Sequence, residues 1–175
     1  RLSLVGSEMC IRDRVPLRLM TNYQEGVRMQ LLSRLAYRDG LTDLLNRTSY
    51  MEELKKLDAS HNFHVLLALY DVNSLKYVND TYGHQSGDEM IRRVADTLSA
   101  HLGSLGKCYR IGGDEFVFLS TVSDSEKEFL KLQRDFEASL GTLKLPDGSE
   151  HPITVAMGYS VLTHNLSLIH ISEPT

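Results

Sequence analysis

The sequence predicts an α+β domain with a central, mainly antiparallel sheet flanked by helices. Three observations predict it. "FHVLLALYDV", Phe63 to Val72, is an almost unbroken apolar run bounded by turn residues, the pattern of a strand buried on both faces. "YRIGGDEFVFL", Tyr109 to Leu119, carries a Gly-Gly hairpin signal between two strand-like runs. Between and around these lie segments whose apolar residues recur every three to four positions, as on one face of a helix. The resulting order is helix, strand, helices, hairpin, helix, strand, which fits a layered α+β fold.

From Pro16 to about Arg38, Met20, Tyr23, Val27, Leu31 and Leu35 form a helical stripe. It is either an amphipathic helix packed on its own domain or the end of a connecting helix from an upstream sensor. Gly40 breaks the stripe, and a second helix is expected from about Thr48 to Leu57. After the Phe63–Val72 strand, a polar, turn-rich stretch holds a short helical piece around Leu75 to Asn79. A long helix follows from about Gly87 to Leu102, with Met90, Ile91, Val94, Leu98 and Leu102 on one side. The hairpin spans about Lys107 to Ser120, with Gly112 and Gly113 expected at positive φ in a two-residue loop. Residues 124–140 read as another amphipathic helix, "PDG" at 146–148 as a turn, and Ile153 to Leu162 as a further strand.

Composition narrows the function. The 175 residues suit one domain with its own core, and the 42% hydrophobic content is that of a globular protein. A net charge of −4 without a basic block excludes a nucleic-acid surface as the default. No apolar run reaches the roughly 20 residues a membrane helix needs, so membrane contact by this segment is not expected. Cys10 and Cys108 form neither a disulfide framework nor a zinc pattern, and the setting is expected to be cytoplasmic. His61 and His64 stand at a strand entry rather than on a helix and are read as solvated.

The two ends read as foreign. Met9–Arg14 and Leu166–Ile171 can be encoded by complementary strands of one DNA string, which resembles the transposon end used to prepare sequencing libraries. Residues 1–14 and 166–175 are therefore taken as translated adaptor and kept out of the fold reasoning.

Chemistry concentrates at one place. Asp71 closes the most apolar strand, where a buried strand has no structural use for a carboxylate. Asp114 and Glu115 follow the hairpin turn. If the strands are neighbours, three carboxylates meet at one sheet edge, and like charges so placed raise one another's pKa. A divalent cation relieves this, and oxygen ligands with several waters suit Mg²⁺, which also takes substrate phosphates. The competing reading is separate satisfaction, with Asp71 capping a turn and the other two solvated.

Four motifs in order resemble the GGDEF domain of diguanylate cyclases. They are "RDGLTDLLNR" (38–47), "DVNSLKYVNDTYGHQSGD" (71–88), "GGDEF" (112–116) and "ITVAMGYSV" (153–161). The resemblance covers about residues 35–160 and divides the chain into a connecting helix, 15–38, and a GGDEF domain, 39–165. It implies that Asp71 and Asp114 ligate Mg²⁺ (or Mn²⁺) through side chains and Val72 through its carbonyl. Glu115 would assist at the metal or help deprotonate the attacking hydroxyl. Gly112 and Gly113 would let backbone approach GTP, Lys76 would lie near the phosphates, and Asn79 and Asp88 would read guanine. The implied reaction condenses two GTP to cyclic di-GMP and two pyrophosphates in a homodimer, under an upstream sensor domain. The alternatives are a non-catalytic GTP-binding module, an inactive fragment, and a relative making another cyclic nucleotide.

The chain departs from the family pattern at Asn73 and Leu75, often Asp and Phe. Gly103 and Gly106 stand where the family's inhibitory product site carries Arg and Asp. The family's closing helix, with basic residues for the phosphates, and its last strand are expected beyond this chain.

Overall fold

The computed structural model describes residues 8–59, 64–123 and 125–163, with side chains from 23 to 162. Helix α1, Glu8–Tyr37, has 30 residues and opens within the segment read as foreign. The trailing segment, 166–175, lies outside the described residues. Contacts divide the chain into a unit ending at Ala36 and a second beginning at Tyr37. Within the first unit Tyr23, Val27, Leu31 and Leu35 of the apolar stripe are exposed, Leu35 to 70%.

The second unit begins with strand β1, Leu45–Asn46, followed directly by helix α2, Arg47–Asp58. Asn46 caps α2, its side-chain oxygen accepting from the Ser49 N–H at 3.0 Å, which satisfies one of the helix's orphan donors. Strand β2, His64–Val72, leads to helix α3, Leu75–Tyr82, and then helix α4, His84–Leu102. Strands β3, Lys107–Arg110, and β4, Glu115–Ser120, form the hairpin, and helix α5 spans Glu126–Leu140. A small hairpin of β5, Thr142–Lys144, and β6, Glu150–Pro152, precedes strand β7, Val155–Thr163.

The main sheet runs β1-β3-β4-β2-β7. All its pairs are antiparallel except β1 with β3. The alternation of side chains along β2 divides the core. Leu66, Ala68, Tyr70 and Val72 join the cluster containing Met90, Val94 and Leu98 of α4 and Phe129 and Phe136 of α5. Val65 and Leu67 point the other way and pack with Tyr50 and Leu54 of α2. Each such fully buried side chain contributes about 1.5–3 kcal/mol of transfer free energy. Burial on both faces therefore holds for the first half of β2 only. Further along the same face, Leu69 is 44% exposed and Asp71 is exposed.

Two expectations about the hairpin need correction. Its loop is Ile111–Asp114, not Gly-Gly alone, and neither Gly112 nor Gly113 has a positive φ. The Glu115 carbonyl closes the loop by accepting the Ile111 N–H at 3.0 Å and the Gly112 N–H at 3.4 Å. The Gly112 requirement is one of space. A Cβ there would stand 3.2 Å from the Glu115 Cβ and closer still to its carboxylate.

Candidate functional site

Three strands build the site. The β2–β4 ladder runs through Leu66↔Ser120 to Asp71↔Glu115, so the last pair places two acidic residues directly opposite each other. Opposed residues share a face of the sheet. Beyond this pair the Val72 N–H donates to the Asp114 carbonyl at 3.0 Å, fastening the tip of β2 to the hairpin turn. On its other side β2 pairs with β7, Ala156 lying opposite Asp71. A cavity of about 350 Å³ opens on this face, lined by Leu69, Asp71, Ile111, Glu115 and Gly158 among others.

The electrostatics fit the geometry. Burial raises the Asp71 pKa, and the negative charge of Asp114 raises it further. The Asp114 carboxylate thus stands close enough to disfavour the ionised form of Asp71. Glu115 contributes differently from the expected three-way convergence, because its side chain folds over Gly112. Among the described residues, no three His, Cys, Asp or Glu side chains form a ready-made metal cage. Asp71, Asp114 and the Val72 carbonyl would supply an all-oxygen donor set with positions left for water and ligand. That is what a hard divalent cation such as Mg²⁺ takes.

The neighbouring elements place the remaining candidates. Asn73 ties the loop after β2 to the approach of β7, its N–H donating to the Thr154 carbonyl at 3.0 Å and its Nδ2 to the Thr154 hydroxyl at 3.1 Å. Ser74 then takes a left-handed conformation (φ 62°) and opens α3. Such backbone is uncommon outside glycine and is held here by its surroundings. Lys76 is exposed in the first turn of α3. Gly83, at φ 85°, both ends α3 and begins α4, its N–H donating to the Asn79 carbonyl at 2.9 Å. This corner brings the half-buried Asn79 side chain against Gly87, adjacent in sequence to the half-buried Asp88. Asp71, Val72, Asp114 and Glu115 therefore gather where β2 ends and β4 begins, within the sheet, while Asn79 and Asp88 lie on the two helices that meet at the α3–α4 corner.

Sequence reasoning gave no role to Arg110 or Asp39. Arg110 Nη1 donates to Asp39 Oδ1 at 2.9 Å, and Nη2 donates to the Gly113 carbonyl at 2.8 Å. The same Asp39 oxygen accepts from the Thr42 N–H at 2.9 Å and its hydroxyl at 2.8 Å. Burial pushes the Asp39 pKa up, but the bonds from Arg110 and Thr42 outweigh it and hold the carboxyl below its ordinary value. One guanidinium thus links the "RDGLTD" turn to the loop that carries Asp114. The acid in that turn and the Arg two residues before Gly112 were the available signals.

The glycines that replace the product-site pair are structurally committed. A Cβ on Gly106 would meet the Leu119 carbonyl and stand 2.8 Å from the Phe118 ring. Of the histidines read as solvated, His64 is half-buried and His61 lies outside the described residues; Cys108 is a buried free thiol.

The sheet order, the helices on both of its faces and the acidic strand tip define the class: an α+β domain with an acidic site at one end of its central strands. Comparison with known proteins makes the class specific. The family described as "Diguanylate cyclase, GGDEF domain" matches residues 36–170. The probable diguanylate cyclase DgcI of Escherichia coli is 35% identical over 111 residues, covering 63% of this chain and 24% of that protein. Diguanylate cyclase DgcN of the same organism is 31% identical over 148 residues, 81% of this chain and 36% of that protein. Among solved structures, the coiled coil and GGDEF domain of DgcB from Caulobacter crescentus in complex with c-di-GMP superposes with a TM-score of 0.74. It is 26% identical and covers 87% of this chain and 83% of that one. The chain belongs to the GGDEF domain family of diguanylate cyclases. It spans about an eighth to two fifths of the length of the curated relatives it matches.

Proposed function

We propose that this domain condenses two GTP molecules into cyclic di-GMP and two pyrophosphates, each chain supplying half of a site completed by a second copy. The observation that carries the reading is the convergence of Asp71 and Asp114, locked by the Val72–Asp114 backbone bond. In this reading Asp71, Asp114 and the Val72 carbonyl hold the divalent cation, Mg²⁺ or Mn²⁺. When bound, that cation neutralises the phosphates and lowers the pKa of the 3′-hydroxyl.

The chain's own residues position and orient. Asp71 and Asp114 would hold the cation through which the triphosphate is seated at the tip of β2. Glu115, opposite Asp71, assists at the cation or accepts the 3′-hydroxyl proton. Lys76 adds positive charge near the phosphates, and Gly112 and Gly113 admit the nucleotide close to the backbone. Asn79 and Asp88 accept from the donors on guanine's edge. Adenine lacks that pair and would leave a buried acceptor unpaired. In-line attack by one nucleotide's 3′-hydroxyl on the other's α-phosphate releases pyrophosphate, with positioning and charge neutralisation as the main contributions.

The product has two-fold symmetry and one chain offers one GTP site, which supports a homodimer. The exposed stripe of α1, including Val27, Leu31 and Leu35, is the surface we assign to pairing with a second copy. An upstream sensor would then act through α1, and a cytosolic nucleotide substrate supports a cytoplasmic location. No helix among the described residues is long and apolar enough to cross a membrane.

The test is product formation from GTP and Mg²⁺. The wild-type chain is expected to make cyclic di-GMP, and Asp114→Ala to reduce the rate by about 10²-fold or more. A variant that works at the wild-type rate would refute the metal assignment.

A further inference from the structure

We infer that Gly87 is a specificity-positioning residue: it sets the placement of the Asn79 amide and thereby the selectivity for guanine. This deepens the proposed function and rests on its reading that Asn79 and Asp88 meet the base. Glycine at this position is not needed for backbone conformation, since Gly87 lies within α4 and has no positive φ. A glycine inside a helix is less favourable than alanine. What Gly87 offers in return is volume. A Cβ at 87 would stand 2.8 Å from Asn79 Cγ and nearer still to Oδ1, so the amide occupies the space a methyl group would fill.

The corner around it has little room to adjust. The Ser86 N–H donates to the Gly83 carbonyl at 3.1 Å, and the Ser86 hydroxyl to the Tyr82 carbonyl at 3.3 Å. Gly87 and Ser86 are both buried, and Val78, the residue before Asn79, is fully buried. A methyl group at 87 must therefore displace the Asn79 side chain rather than the helices. Among the described residues the Asn79 amide and the Asp88 carboxylate make no side-chain hydrogen bond or ion pair, although both residues are half-buried. Two polar groups left unspent in this way, one of them seated on a glycine, are held ready for a ligand that carries complementary donors and acceptors.

The experiment measures binding of GTP and of ITP, which lacks guanine's exocyclic amine, to the chain in Mg²⁺. The wild type is expected to prefer GTP, and Gly87→Ala to weaken GTP about tenfold while changing ITP far less, so that the ratio falls toward one. Asn79→Ala should collapse the ratio similarly, and Gly87→Ala added to it should cost nothing further. If Gly87→Ala fails to fold, Asn79→Gln serves: its longer amide cannot seat against Gly87, and the ratio should again collapse. Equal weakening of both nucleotides by Gly87→Ala, or a wild-type ratio in Asn79→Gln, overturns the inference while leaving the base-reading assignment intact. A wild-type ratio in Asn79→Ala overturns that assignment, and this inference with it.

Discussion

Replacing Arg110 by Met removes one guanidinium and, with it, the link between the "RDGLTD" turn and the loop bearing Asp114. The side chain of Arg110 is 13% exposed and that of Asp39 24%, so the pair is partly shielded from water. Two charge-assisted bonds disappear, one at 2.9 Å to Asp39 and one at 2.8 Å to the Gly113 carbonyl. Such bonds contribute about 1.5–3 kcal/mol each when desolvated. Gly113 is exposed and regains water, and Asp39 keeps its bonds to Thr42, so the expected loss is about 2 kcal/mol in total. Urea denaturation measures it, and a cycle with Asp39→Asn should return about 1–2 kcal/mol of coupling.

The pH dependence gives a second reading of the same pair. Because the Asp39 pKa is lowered on folding from its ordinary 3.8, its contribution is present above that value and fades as pH falls through the folded value. Arg110→Met should flatten the wild type's loss of stability below about pH 4. Additive single-variant effects, or a cost below about 0.5 kcal/mol, would show that the pair holds nothing together.

Three further outcomes are expected. Mg²⁺ with GTP should raise the melting temperature of the wild type, by the equivalent of about 2.7 kcal/mol at a hundredfold excess over Kd, and leave Asp71→Asn unmoved; an equal rise in both would place the cation elsewhere. Replacing Leu31 and Leu35 together by Ser should shift sedimentation from dimer to monomer and lower product formation in proportion; an unchanged dimer would remove α1 from the interface. Cyclic di-GMP should not inhibit through residues 103–106, and Gly106→Asp should destabilise the domain by about 2 kcal/mol or more through overpacking against Phe118; inhibition abolished by changes near Gly103 and Gly106 would contradict this.

What the sequence disclosed depended on how local the controlling physics was. The long apolar run of β2 and the stripes of α4 and α5 are read directly from periodicity, because the faces they bury are fixed by each element's own geometry. Boundaries moved where tertiary contacts extend an element. Helix α3 continues to Tyr82, and α4 begins at His84, because Gly83 serves both ends. Strand β1, two residues long, pairs in parallel with β3 across a long sequence separation and has no periodic signal. The exposure of Leu69, inside an apolar run, has no signal in the spacing. Within the site, the Asp71–Glu115 register follows from two strands meeting, and the acidic residues flagged it. The Arg110 fork does not follow from spacing, since its partners Asp39 and Gly113 are chosen by the folded turn.

The most direct test counts divalent cations at the tip of β2. Electron paramagnetic resonance of Mn²⁺, titrated into the chain with saturating GTP, reports bound metal without requiring turnover. Tight binding in the wild type, weakened about tenfold or more by either Asp71→Asn or Asp114→Asn, is the predicted result. Wild-type Mn²⁺ affinity in both variants would contradict it.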